Sequence, residues 1–142
     1  MSYGLALALH NAIYTQLRRF RPLRVLVGSA IFDEAPSGTI PQTYVAFGPE
    51  VATDRSDNAV DAAEHRFVVS VVSQSPGFAT AKGAAVAISD ALHNESLTLR
   101  RGRSVFVRFE RATATREDAA SLRRIDLVFR ARVEDPDSSD SS

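Results

Sequence analysis

From Ile125 to Val133 every second residue is apolar (Ile125, Leu127, Phe129, Ala131 and Val133), while Asp126, Arg130 and Arg132 stand between them. A period of two sustained this long belongs to a strand with one face on a core and the other wet or charge-paired. Val105, Val107 and Phe109 alternate in the same way, with Arg108 on the opposite parity. Residues 97–134 therefore read as two long strands joined by a polar tip, Ala112 to Leu122, which includes Arg116, Glu117 and Asp118 and projects from the body. In residues 64–74, Phe67, Val69 and Val71 fall on one face and Val68 and Val72 on the other, the mark of a central strand. The chain must build a sheet, and the sheet needs a cover.

Two helices supply it. Leu5, Leu9, Ala12, Ile13, Leu17 and Phe20 follow the 3–4 residue spacing of one buried face, so residues 4–20 read as a helix. Ser2 can cap its start, Arg18 and Arg19 suit its C-terminal dipole, and Pro22 ends it. Residues 76–93 form the second, opened by Ser75-Pro76, with Phe78, Ala81, Ala85, Ile88 and Leu92 on one face. Ala84, Ala87 and Ala91 keep it thin enough to pack closely on a sheet, Gly83 marks a close backbone approach, and Asn94 suits a left-handed cap.

Between the helices the sequence is less regular. Val25-Leu26-Val27 reads as a strand turning at Gly28, Ala30-Ile31-Phe32 as another, and Tyr44-Val45-Ala46-Phe47 as a third closed by Gly48-Pro49. Residues 49–63 hold Glu50, Asp54, Arg55, Asp57, Asn58 and Asp61 with no period, and read as a mobile acidic loop. The expected fold is α+β: a mixed or antiparallel sheet with two helices packed on one face and a long C-terminal β-hairpin. Residues 1–134 form a single domain. Residues 135–142, Asp-Pro-Asp-Ser-Ser-Asp-Ser-Ser, have the composition of a disordered acidic tail.

Formal charge is zero, with 17 basic and 17 acidic residues, but the charges are segregated. Residues 1–32 carry four Arg and no acid; residues 33–65 carry seven acids and one Arg; residues 100–132 carry ten Arg and four acids. Sixteen of the basic residues are Arg, which binds carboxylates through a planar fork and suits interfaces. The blocks can pair within a subunit or between subunits. A free DNA-binding domain would carry a basic excess, which is absent. There is no Cys, hence no disulfide framework or thiolate site. No apolar run approaches the ~18 residues of a membrane helix. The first four residues lack a basic group and the apolar stretch stops at Leu9, unlike a signal peptide, so a soluble intracellular origin is expected.

No chemistry-bearing constellation emerges. His10, His65 and His93 have no second His at ligand spacing, and His93 is explained as a cation at a helix C-terminus. The glycines are separated, with no phosphate-cradling motif, and no nucleophile elbow is present. Asp54, Asp57 and Asp61 do not have the spacing of a calcium loop. Phe106 and Phe109 have opposite parity, so at most one is exposed beside Arg100, Arg101 and Arg103, short of a nucleic-acid stacking platform. No catalytic, cofactor or metal residue is assigned. An assembly component fits better than a small enzyme or a nucleic-acid-binding regulator.

Several segments, in order, resemble the tail-completion or tail-terminator proteins of long-tailed bacteriophages and phage-like gene transfer agents. They are Ala12-Ile13-Tyr14 in the first helix; Leu26-Val27-Gly28 followed by Ile31-Phe32-Asp33; Pro36 and Pro41 before Tyr44-Val45-Ala46-Phe47-Gly48; His65-Arg66-Phe67-Val68-Val69-Ser70-Val71; Ser73, Gly77, Ala81, Ile88, Ala91, Leu92, His93 and Leu97; and Leu127-Val128-Phe129-Arg130-Ala131-Arg132-Val133. The likeness spans roughly residues 5–134. Val72 stands where many relatives carry Trp, and Gln42 and Thr43 separate Pro41 from the Tyr-Val strand.

The resemblance implies a six-subunit ring in the tail-neck region of a phage or phage-like particle, assembled in the bacterial cytoplasm. Such a ring ends the tail tube, meets the head-side connector or stopper protein, and lets DNA through without sequence readout. Its partners are further copies of itself, the tail tube protein and the connector, with no membrane and no cofactor. Another neck component, such as a head-completion protein, is the alternative. A closed ring needs heterologous contacts, where one patch meets a different patch on the neighbour. On charge, Asp54, Asp57 and Asp61 are expected to face Arg100, Arg101, Arg103 or Arg116 of a neighbour, with pairing inside the subunit as the other arrangement.

Overall fold

A computed structural model describes residues 3–34 and 36–135. Five strands form one sheet in the order β1-β2-β3-β5-β4. They are β1 (Ile31–Phe32), β2 (Thr43–Asp54), β3 (Asp61–Ser73), β4 (Arg103–Glu117) and β5 (Leu122–Asp135). β1 runs parallel to β2, and every other pairing is antiparallel. Helices α1 (Ala6–Arg19), α2 (Arg21–Val27) and α3 (Ala79–Leu92) cover one face. The α+β class, the helices on one face and the C-terminal hairpin are as the periodicities require.

The core forms where the two periods meet. Leu5, Leu9, Ile13 and Leu17 of the first helical segment and Ala81, Ala84, Ala85, Ile88, Ala91 and Leu92 of α3 are buried against Val69, Val71, Leu127 and Phe129. Fully burying a Leu or Phe side chain contributes about 1.5–3 kcal/mol. Phe129 lies at the centre, stacked on Phe67 at 5.6 Å and met edge-on by Phe109 at 5.9 Å. β3 is central and its Val72 is buried on the far face, as apolar residues on both sides predict.

Several local expectations are corrected. Val25-Leu26-Val27 is the end of α2, not a strand. Pro22 supplies the fixed φ of a first helical turn, and Leu23 and Val27, four apart, reach the core while Val25 is exposed. A three-residue apolar run cannot reveal this period. Gly28, at φ +60°, ends α2, as the turn reading anticipates.

Gly48-Pro49 does not close β2. It makes a bulge between Phe47 and Glu50, and the strand continues to Asp54. A Cβ at Gly48 would lie 3.1 Å from the Val68 Cβ, so only glycine passes that point without displacing its neighbour. The expected acidic loop is therefore mostly two strand ends joined by a tip at residues 55–60. Its polar composition arises because residues 48–54 are all exposed, so no apolar alternation is needed.

α3 begins at Ala79, and Ser75-Pro76 does not cap it. Gly77, at φ +72°, turns the chain first, and the Ser75 N–H donates instead to Ser73 Oγ at 3.1 Å. Asn94 is left-handed as expected, at φ +61°. Gly83 has only Leu26 Cδ1 within reach of an added Cβ, at 3.6 Å, which is ordinary contact rather than close backbone approach. The β4–β5 tip is Asp118–Ser121 alone, and residues 112–117 are strand. Ser2 and residues 136–142 lie outside the described residues.

Candidate functional site

The acidic expectation falls on the β2–β3 tip, where two of the three acids organise the turn itself. Asp54 Oδ1 accepts the Ser56 hydroxyl at 2.7 Å and its N–H at 3.1 Å. Asp57 Oδ1 accepts the N–H groups of Ala59 and Val60 at 2.8 and 2.9 Å. These bonds favour the ionised forms. The Ser56 hydroxyl, and then its N–H, hold Asp54 below its ordinary 3.8, and the two backbone donors do the same for Asp57. Asp61 starts β3 opposite Asp135 of β5.

Three of the four arginines meet acids of their own chain. Arg101 donates to Asp135 Oδ2 from Nη2 at 2.7 Å and Nε at 2.9 Å, and reaches the Gly4 carbonyl at 3.4 Å. Arg103 Nε donates to Glu134 Oε1 at 3.0 Å. Arg116 Nε meets Asp118 at 2.6 Å across the hairpin tip. Arg100 is exposed and makes no ion pair among the described residues. It lines a shallow groove with Asn11, Thr15 and Arg19 of α1. The structure thus places Arg101 and Arg103 at the C-terminal end of β5 and Arg116 at the opposite end of the sheet. It brings none of them to Asp54 or Asp57 of the same chain.

The face away from the helices is a charge lattice. Arg66 grips Glu110 with Nε and Nη2, both at 2.8 Å; Arg124 meets Asp126 at 2.9 Å; Arg130 approaches Glu64 at 3.7 Å. The guanidinium of Arg66 holds Glu110 below the usual carboxylate range. Arg108 and Arg130 lie over the Phe106 ring at 4.1 and 5.5 Å. On this face, Arg66, Arg124 and Arg130 are matched with carboxylates and Arg108 with an aromatic ring.

Sequence reasoning missed three arrangements. Glu50, carried past the bulge, accepts both Tyr3 OH at 2.7 Å and the buried His65 ring at 3.0 Å. Glu50 raises the Tyr3 hydroxyl above its ordinary 10.0, chiefly through that bond. His10 meets Asp33 at 3.0 Å and the edge of Phe47. His93 does more than follow a helix C-terminus: its Nδ1 accepts the Phe109 N–H at 2.9 Å. Nothing in a lone His signals such contacts, which depend on strand register. Among the described residues no three His, Asp or Glu converge as metal ligands do.

Such a molecule, with ion pairs across one sheet face and its longest strand, β4, at an exposed edge, belongs to the class of small α+β assembly domains. Residues 11–134 match the family described as Tail completion protein gp17. The chain belongs to that family and is a tail completion protein, a structural component of phage-type virions. A solved structure described as the virion of a native gene transfer agent particle contains a chain that is 53% identical. The match covers 94% of the present chain and 99% of that one, with a TM-score of 0.87. No curated protein matches.

Proposed function

We propose that this protein forms a closed ring of six copies that ends the tail tube and joins it to the head-side connector. It is a structural part of a gene-transfer-agent or phage particle rather than an enzyme, and DNA passes through the ring without sequence readout. The observation that carries this reading is the gene-transfer-agent virion chain, alike over 99% of its own length at 53% identity. On the sheet face away from the helices, arginines are engaged by carboxylates in the pairs Arg66–Glu110, Arg124–Asp126 and Arg130–Glu64, which supports passage without sequence readout.

Within that ring, Asp54, Asp57 and Asp61 would meet arginines of a neighbour. Arg100 is the most available, because Arg101, Arg103 and Arg116 already hold Asp135, Glu134 and Asp118. The test is negative-stain microscopy of particles from a strain lacking the gene. Overlong, headless tubes are expected. Tails of normal length left unattached to heads would instead identify a head-completion protein, and normal tails on filled heads would overturn both.

A further inference from the structure

The sheet ends on both sides in strands whose outer edges are half covered. At the β4 edge, the Asn94 N–H donates to the Val107 carbonyl at 2.8 Å and His93 takes the Phe109 N–H. Among the described residues the stretch Arg111–Glu117 has no such cover, and all of it is exposed. At the other side, β1 covers β2 at Val45 and Ala46, where the Val45 N–H donates to Ala30. Among the described residues the stretch Glu50–Asp54 has no strand on its outer side, and it too is exposed. Long free edges are normally blunted or filled, because their N–H and C=O groups invite another strand.

We infer that β4 of one copy pairs along Arg111–Glu117 with β2 of the next copy along Glu50–Asp54, making one continuous sheet around the ring. This rests on the ring proposed above and specifies its contact. Four observations point to this occupant rather than to a foreign strand.

First, β4 runs opposite to β5, β5 to β3, and β3 to β2. Copies related by rotation therefore bring β4 beside β2 antiparallel, with all helices on one side. Second, the outward-facing groups are in phase. Val45, opposite Val71, faces outward, and so by the two-residue alternation do Glu50, Ala52 and Asp54, opposite Phe67, His65 and Ala63. Val107, opposite Ala131, faces outward, and so do Ala112, Ala114 and Arg116, opposite Leu127, Ile125 and Arg123.

Third, one register sets Arg116 opposite Glu50, Ala114 opposite Ala52 and Ala112 opposite Asp54. That register matches outward groups to outward groups. Fourth, the covers force a stagger. The free stretches centre on Ala52, level with His65 of β3, and on Ala114, level through Ile125 with Val71. Those levels are six residues apart on β3, about 20 Å at 3.3 Å per residue. A sheet closed on itself requires a stagger of this kind, with tilted strands.

The chain has no Cys, so engineered pairs are unambiguous. In the inferred register Thr53 and Thr113 stand directly opposite in a non-hydrogen-bonded pair, where the Cα separation suits a disulfide. Within one chain, β3 and β5 lie between them. The experiment is mild oxidation of purified particles carrying T53C/T113C, read on a non-reducing gel together with the copy number per particle. The expected result is a ladder in multiples of the 15.4 kDa chain, absent from either single variant and much reduced in T53C/T115C.

Six copies per particle without a ladder would overturn the edge pairing and leave the ring reading standing. A ladder stronger in T53C/T115C would overturn the register, and a cross-link to the tube protein would put a foreign strand on the edge. A copy number that no ring can supply would overturn the reading beneath it. If the cysteine variant fails to enter particles, Ala114→Pro in the unlabelled chain decides. It removes an outward N–H at an exposed site, and normal incorporation would count against the pairing.

Discussion

His93 Nδ1 accepts the backbone N–H of Phe109 at 2.9 Å, tying the C-terminus of α3 to the outermost strand. With the neighbouring Asn94 to Val107 bond, it closes the inner half of an edge that is otherwise open. The contact is made by one ring nitrogen to the main chain, so shape alone cannot replace it. His93→Leu is expected to lower stability by about 1 kcal/mol. It should also speed amide exchange at Phe109 while the core remains protected. Unchanged exchange there would remove the role assigned to the ring nitrogen.

Two glycines should respond in opposite directions. Gly102 has φ +72°, and an added Cβ would stand 2.5 Å from the Glu134 carbonyl oxygen and 2.8 Å from Leu5 Cδ1. Gly102→Ala should cost about 2–4 kcal/mol through strain and overpacking. Gly83 is helical with room for a methyl, so Gly83→Ala should stabilise by up to about 1 kcal/mol. Urea unfolding of the two variants beside the parent tests both signs.

The Arg101–Asp135 pair joins an arginine that is 51% exposed to a carboxylate that is 2% exposed. Removing the arginine takes a two-pronged charged donor from the buried carboxylate. Arg101→Ala should cost about 2–3 kcal/mol. Arg66→Ala breaks a pair that is wet on both sides and should leave the unfolding midpoint almost where it was. Equal effects would show that burial does not distinguish the two pairs.

Acid should loosen the β2–β3 tip before the core. Asp54 and Asp57 are both held below their ordinary 3.8 by hydrogen bonds to the charged form. A lowered folded-state pKa gives stabilisation that is present above the unfolded value and lost as pH falls through the folded one. The bonds to Ala59 and Val60 should therefore persist through neutral and mildly acidic pH and fail in stronger acid. Residue-resolved amide protection at Ala59 and Val60 across an acid titration checks this, and Asp57→Asn should remove the pH dependence.

The legible parts of the fold were those whose period ran long enough to be unambiguous. Ile125 to Val133, Phe67 to Val72 and the Leu5–Leu17 stripe each span several repeats, and each became the expected element on the expected face. Val25-Leu26-Val27 failed because three apolar residues fit a strand or a helix equally well, and only the packing of Leu23 and Val27 decides. Residues 49–54 failed for a different reason: an exposed strand end has no burial to impose alternation, so it looks like loop.

Charge blocks showed that acids and arginines must meet, but not which ones. Sequence distance carries no information about Arg101 finding Asp135 or Arg66 finding Glu110, since the register of β3, β5 and β4 decides both. The same holds for Glu50, whose reach to Tyr3 and His65 depends on a bulge two residues earlier.

The strand order has a consequence for when the molecule can exist at all. β5, the last described strand, lies between β3 and β4 and supplies Leu127 and Phe129 to the core. The β2–β3 hairpin can zip locally, but its seam with β5 joins Asp61 to Asp135, a closure over a long stretch of chain. Until β5 is in place, β4 has no strand of its own chain to pair with, and the helices and the first hairpin have no closed core to enter. A chain cut short before β5 should be cleared by proteases rather than built into a particle.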